Sequence, residues 1–323
     1  MQTLSPSAGS SAALRADAAA HRAARRRRVI GDTLMGYAFV APAVGLYLLF
    51  QGYPIVRGLM IAFSDYRFLI PDHEPFNGLN NWYEMWRDTT FWASMSRAFQ
   101  YTGYYMVGLM LLGLLGAVLI SSFQSQKEAS VYRVIAYMPV VLPIAVALLL
   151  WRQLLNNQYG YVNHLLRDIL GLPAPNWLGD AAWVVPTLAI AAVWKQMGQT
   201  ILLFLIGIYG INRELYEAAA IDGAGAWRRF VSVTLPLLRP SFVLVLVLSA
   251  GVLGTAEESL IFFPNENGPR NAALLIGRYS YDVAFKLGDM RWGYAAAMSL
   301  TVGIISMLVS AFVFRVLRGE RPD

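Results

Sequence analysis

The chain has 323 residues, of which 57% are hydrophobic and 14% charged, with a formal net charge of +6. Soluble domains carry about 25% charged residues, so this composition points to a membrane protein, and the basic balance, which could otherwise suggest nucleic acid, reads as membrane topology because it sits beside apolar spans. The absence of cysteine excludes disulfides, thiolate metal sites and cysteine nucleophiles, and His21, His73 and His164 lie too far apart in sequence to show metal-ligand spacing.

Residues 1–28 consist mainly of Ala, Ser and Arg without an apolar run, and are expected to be a disordered basic cytoplasmic tail. Arg25 to Arg28 close it. A basic start followed by Ala41-Pro42-Ala43 has the form of a signal peptide with a cleavage site, but the apolar stretch continues well past Ala43, as in a retained anchor. Six spans follow, at 33–61, 97–121, 132–154, 184–208, 240–262 and 292–314. Each is long enough for a hydrocarbon core of ~30 Å, which takes about 20 residues. Hydrocarbon offers the backbone no partners, so the spans must be helical. The expected fold is therefore an all-α, six-span membrane domain over residues 29–323, with no internal repeat. Gly52-Tyr53-Pro54 predicts a kink or break in the first span.

The basic residues orient the spans. With the N-terminus inside, the cytoplasmic segments hold Arg15, Arg22, Arg25 to Arg28, Lys127, Arg133, Arg213, Arg228, Arg229, Arg239, Arg315, Arg318 and Arg321. The longer outer loops hold only Arg67, Arg87, Arg97, Arg167, Arg270, Arg278, Lys286 and Arg291. Both termini are thus expected in the cytoplasm. The outer loops carry aromatics and Asn in turns, which suit either a membrane interface or a docking surface for a soluble partner.

Between the fourth and fifth spans lies a charged island, Asn212 to Pro240, inside a cytoplasmic loop at 209–239. Asn212 is placed to cap a helix, and Glu214 sits in its first turn, where the helix dipole favours an acid. Leu215 to Asp222 is rich in helix formers. Gly223 can take the left-handed conformation that ends the helix. A second short helix follows, with Trp227, Phe230 and Val231 on one face and Arg228, Arg229 and Ser232 on the other, until Pro236 and Pro240 break it. By itself this pattern also fits an amphipathic loop on a membrane surface.

The island resembles the EAA loop of the permease subunits of ABC importers, in which Glu-Ala-Ala, a Gly after three intervening residues, and then Ile-x-Leu-Pro recur. Glu217, Ala218, Ala219, Gly223, Leu235 and Pro236 match, with Val233 in place of Ile. The outer loops extend the likeness to the carbohydrate (maltose-type) permeases: Phe76 to Trp82 stands for Phe-x-Gly-Leu-x-Asn-Tyr, and Trp151, Gly160, Asn163, Trp194-Lys195 and Gly293 to Ala297 are similar too. The resemblance covers about residues 33–315. One departure concerns the fifth span, where Glu257-Glu258-Ser259 and Glu266-Asn267-Gly268-Pro269 replace the family's Asp and Gly-Gly-Pro. It bears on the substrate more than on transport. The resemblance implies the type I permease fold and a multi-pass place in the bacterial inner membrane. It also implies assembly with a second similar permease, two ATPase subunits and an extracytoplasmic binding protein, and no role with nucleic acid. It assigns Glu217, Ala218, Ala219, Asp222, Gly223 and Pro236 to coupling with the ATPase.

None of the three lysines Lys127, Lys195 and Lys286 follows a glycine, so no phosphate-binding Gly-Lys-Ser/Thr loop is present. The chain is therefore expected to be a non-catalytic subunit without a cofactor of its own, ATP and Mg being bound by the partner ATPase. Charges inside spans are functional candidates, since each costs about 2.5–3.5 kcal/mol on insertion scales. Lys195 either pairs with Glu257 or Glu258 or snorkels along its stem. Adjacent helix residues diverge by about 100°, so at most one of those glutamates faces a path. Gln196 and Gln199 share a helix face, and two amides suit a polyhydroxyl ligand. Trp194 either stacks on a sugar ring or packs against a helix. By the resemblance, the segment after Trp194 and the segment Thr255 to Glu258 line the sugar site. The leading reading is a sugar or oligosaccharide permease subunit, with another polar solute such as glycerol-3-phosphate as the alternative. A secondary transporter would need repeats or several intramembrane carboxylates. A membrane enzyme would need a histidine–carboxylate or nucleophile cluster.

Overall fold

The computed structural model describes residues 8–70 and 74–317, except for the side chains of 8–24, 26, 27 and 317. Residues 1–7 of the tail, His73, Arg318 and Arg321 lie outside the described residues. The chain divides into two compact units, Met1–Met60 and Ile61–Asp323.

In the first unit, helix α1 runs Ala8–Tyr47. Residues 8–28 are therefore helical where the composition predicts disorder. Alanine and arginine are strong helix formers, and an adjoining span supplies the nucleus from which a helix propagates cheaply. At the expected kink a π-turn, Leu48–Gly52, separates α1 from α2 (Tyr53–Ala62), with the Tyr53 N–H donating to the Leu48 carbonyl. Pro54 has no N–H to give the preceding turn, and a widened turn absorbs that loss. No residue from Arg28 to Met60 is buried.

In the second unit, α3 (Asn80–Arg87) precedes α4 (Thr89–Ser121), whose N-cap Asp88 accepts from the Thr90 N–H. The third span is broken. Helices α5 (Gln126–Val141) and α6 (Ile144–Leu154) meet at 97°. Pro143 bars Leu142 from helical geometry, and Leu142 is extended (φ −63, ψ 138). A short α7 (Tyr161–His164) lies in the next loop, and α8 (Ala181–Tyr209) is the fourth span. Then come α9 (Arg213–Ile221), α10 (Ala226–Arg229), α11 (Leu235–Leu237) and α12 (Arg239–Ala250), with a 59° bend after Leu237. The fifth span is not the continuous helix expected over 240–262. A 3₁₀ turn at Gly251–Gly254 and an extended Thr255 separate α12 from α13 (Glu257–Phe262). Glycine at both ends of that turn weakens the helix where it breaks. Helices α14 (Ile276–Phe285) and α15 (Trp292–Leu317) are the last helices among the described residues. Among the described residues, four helices are long and apolar enough to cross a membrane, and two bent pairs bring the number to six if each makes one span.

Helix α8 is the centre of the second unit. In hydrocarbon, helices associate by close packing and polar contacts rather than by the hydrophobic effect. Gly113 on α4 shows this: a Cβ there would stand 2.5 Å from Thr200 Cγ2 of α8. Phe204, Leu238 and Ile120 fill the core at one end of the pair, and Tyr101, Leu188, Phe262 and Leu275 fill it at the other.

Polar side chains tie the loop 61–88 to α14 and α15. Asn81 is fully buried and donates to the carbonyls of Ala62 (2.8 Å) and Ser64 (2.9 Å). Asp88 accepts from the hydroxyls of Tyr279 (2.7 Å) and Tyr294 (2.8 Å). Burial pushes its carboxyl up, but those hydroxyls and the amides of Phe91 and Thr90 outweigh burial and leave it below the usual carboxylate value. A carboxyl lowered in this way stabilises the fold above its unfolded pKa of about 3.9, and that contribution is lost as pH falls through the folded value. Asp88→Asn is therefore expected to lower the melting temperature at neutral pH. It should also flatten the acid limb of a melting-temperature profile taken down to about pH 3.

Candidate functional site

The charged island folds as two short helices joined by a tight turn. Asn212 caps α9, its side chain accepting from the Glu214 N–H at 3.1 Å. Gly223 takes φ +78, with its N–H on the Ala220 carbonyl and the Ala224 N–H on the Ala219 carbonyl, a left-handed helix stop. The return helix, α10 to α11 through a π-turn at Phe230–Thr234, is fixed to α9 by a Tyr216–Thr234 hydroxyl contact of 2.9 Å. Glu217 faces outward in a loose, exposed pair with Arg213 (3.5 Å). Ala218, Asp222, Gly223 and Pro236 are exposed, and Ala219 is half-buried. Ile221 and Trp227 are 86% and 76% exposed. A rigid hairpin that holds large apolar side chains away from its own chain is shaped to be covered by something else.

Within the spans, α4, α8 and α12 enclose a cavity of about 220 Å³. Gln196, Gln199 and Thr200 of α8, Tyr105 of α4 and Ser249 of α12 supply its polar wall, and Leu109, Leu203, Val245 and Leu248 its apolar one. Gln196 Nε2 donates to Gln199 Oε1 at 2.5 Å. Each amide keeps further donors and acceptors free for a ligand.

Of the residues expected on a path, only Gln196 and Gln199 line this cavity. Trp194 packs edge-on against Trp151, with ring centroids 5.8 Å apart. Lys195 meets neither glutamate: its Nζ donates to the Val140 carbonyl at 2.9 Å. Val140 lies in the last turn of α5, where the break at Pro143 leaves carbonyls without helical partners, and a cation is favoured there. Thr255 bonds the Val252 carbonyl within its own turn. The two glutamates do diverge: Glu257 is exposed and Glu258 buried. Glu258 lies near Tyr101 and Tyr105, and its Oε2 has no hydrogen-bond partner among the described residues. The sequence reading missed Tyr105, Thr200 and Ser249. Thr200 shares a helix face with Gln196 at i, i+4, and that was the available signal.

The family described as "binding-protein-dependent transport system inner membrane component" matches residues 109–321. The diacetylchitobiose uptake system permease protein NgcF of Streptomyces coelicolor is 30% identical, over 91% of this chain and 85% of that one. The arabinooligosaccharides transport system permease protein AraP of Bacillus subtilis is 30% identical, over 85% of each. Among solved structures, a chain of a bacterial ABC transporter that imports the acidic polysaccharide alginate shares the fold. It has a TM-score of 0.77 and 23% identity, over 91% of this chain and 98% of that one.

Proposed function

Since the chain belongs to the family of binding-protein-dependent transport system inner membrane components, we propose that it forms one half of the path by which a sugar or oligosaccharide enters the cell. On this reading both termini are cytoplasmic. The α9–α10 hairpin docks in a cleft of a separate ATPase, with Glu217, Ala218, Ala219 and Asp222 at the contact, Gly223 setting the turn and Pro236 ending it. A second permease, two ATPase subunits and an extracytoplasmic binding protein complete the importer. ATP closes the ATPase pair, and the hairpin passes that motion to the spans because it binds their two states differently.

The observation that carries the sugar reading is the cavity between α4, α8 and α12. Two amides and three hydroxyls face one another across leucines there. Amides and hydroxyls both donate and accept, which matches a polyol. A phosphorylated solute such as glycerol-3-phosphate would call for a cation, and Lys195 is committed to the Val140 carbonyl instead.

Uptake into vesicles that hold ATP but no ion gradient tests this. Sugar entry should require the ATPase subunits, and entry without them would remove the proposal. Gln199→Ala should raise the KM for uptake several-fold, since a net hydrogen bond is worth about 0.5–1.5 kcal/mol. Unchanged KM in both Gln199→Ala and Ser249→Ala would take the cavity off the path.

A further inference from the structure

Helix α3 carries an open apolar groove apart from the α4–α8–α12 cavity and the α9–α10 hairpin. Leu79, Trp82, Tyr83, Trp86 and Arg87 line a space of about 440 Å³. Tyr83 is 67% and Trp86 71% exposed. The backing of this groove is fixed. Trp82 Nε1 donates to Thr301 Oγ1 of α15 at 3.1 Å, Arg291 holds Glu84 through two contacts of 2.5 and 2.6 Å, and Trp92 Nε1 donates to the Trp86 carbonyl at 3.0 Å.

These contacts also set the depth of the groove in the membrane. Thr301 lies nine residues along α15 from Trp292, or about 14 Å at 1.5 Å per residue. The 26 residues of α15 span about 39 Å, about 9 Å more than the hydrocarbon core. Even if that whole excess projected at the Trp292 end, Thr301 would lie about 5 Å inside the hydrocarbon. The Trp82 end of the groove is therefore at hydrocarbon depth, beyond the reach of a soluble protein. The other end is shallower, because Asp88, next to Arg87, is bonded to Tyr294 near the start of α15.

Charge follows the same axis. Glu84 is taken by Arg291 and Asp88 by Tyr279 and Tyr294. Arg87 is exposed and makes no ion pair or hydrogen bond among the described residues. An aromatic wall at acyl depth below an uncommitted guanidinium at headgroup depth matches a phospholipid end to end. We propose that α3 binds an anionic phospholipid of the leaflet at the Trp292 end of α15, its acyl chain against Leu79, Trp82 and Trp86 and its phosphate on Arg87.

The test uses the full-length chain with the subunits that co-purify with it, in phosphatidylcholine nanodiscs containing a graded fraction of phosphatidylglycerol. One lipid class at a time carries brominated acyl chains. The readout is the tryptophan quenching lost on Trp86→Phe. That component should be quenched by brominated phosphatidylglycerol at about five-fold lower mole fraction than by brominated phosphatidylcholine, the preference one basic residue confers near a membrane surface. Arg87→Gln should keep the quenching and erase the preference, while Arg87→Lys retains most of it. No Trp86-dependent quenching would mean that protein, such as a neighbouring permease, covers the groove, and would overturn the proposal. So would equal quenching by the two lipids in the unmodified chain.

Discussion

Replacing Gly223 by valine is expected to abolish most ATP-driven uptake while the protein still reaches the membrane. Gly223 sits at φ +78, and a Cβ built there meets nothing within 4 Å. The cost of a side chain is thus purely one of backbone conformation. A left-handed residue costs about 1–2 kcal/mol for L-amino acids, and a β-branched one is a genuine outlier there. Valine would drive the turn out of this conformation, breaking the Gly223–Ala220 and Ala224–Ala219 bonds that end α9. The exposed faces of α9 and α10 would then no longer be presented together. The spans pack through other residues and should insert normally. If the competent turn becomes the minor form, uptake falls about ten-fold or more. Gly223→Asn is the control: asparagine tolerates the left-handed region, so that variant should transport nearly as well as the original. Uptake is measured in vesicles matched for membrane content. Normal transport by Gly223→Val would remove the hairpin from the coupling route.

That turn was legible in the sequence because its causes are local. Asn212, Glu214 and Gly223 each act within one helical turn of themselves, so residue type and spacing suffice. The spans were legible for a similar reason: hydropathy over about 20 residues is a property of the segment alone. The breaks were not. Pro139 and Pro143 are plain in the sequence, but a proline in a membrane helix is often absorbed as a gentle kink, with neighbours re-satisfying the backbone. Whether the chain bends by 97° depends on what receives it. The receiver here is Lys195, whose ammonium takes up the Val140 carbonyl from 55 residues away along the chain. Neither alternative for Lys195, a glutamate partner or snorkelling, named this acceptor, because it exists only once the break exists. The cavity shows the same division. The Gln196 and Gln199 face could be seen on one helix, whereas Tyr105 and Ser249 join it from two others by packing that no local pattern records.

Arg278 is where the second large effect is expected, and in the sequence it reads only as one more charge in an outer loop. Its side chain is 2% exposed. Nε donates to both carboxylate oxygens of Asp282 at 3.0 Å, and the guanidinium also reaches the carbonyls of Ser259 (3.1 Å), Phe263 (3.0 Å) and Glu266 (3.4 Å). The Ser259 carbonyl, inside α13, also accepts from the Phe263 N–H, whereas those of Phe263 and Glu266 belong to the coil after α13, where helical partners run out. One planar fork thus closes the segment that follows the break in the fifth span, a task a lysine could not share among so many acceptors. Arg278→Met would strand the Phe263 and Glu266 carbonyls. It would also leave Asp282 buried with only Lys286, at 3.6 Å, to answer its charge. Removing one member of a buried pair costs about 3–5 kcal/mol, whereas replacing both members by apolar residues is often near neutral. The expected result is a large fall in melting temperature for Arg278→Met in detergent, with new protease cleavage in 257–290. Arg278→Met with Asp282→Leu should recover part of that loss but not all, because the carbonyls stay unpaired. Uptake should fall with the amount of folded protein while the KM for sugar holds, which separates a clamp from a residue that touches solute. If Arg278→Met melts as the original does, the outer segment is held by its apolar contacts, and the guanidinium is dispensable.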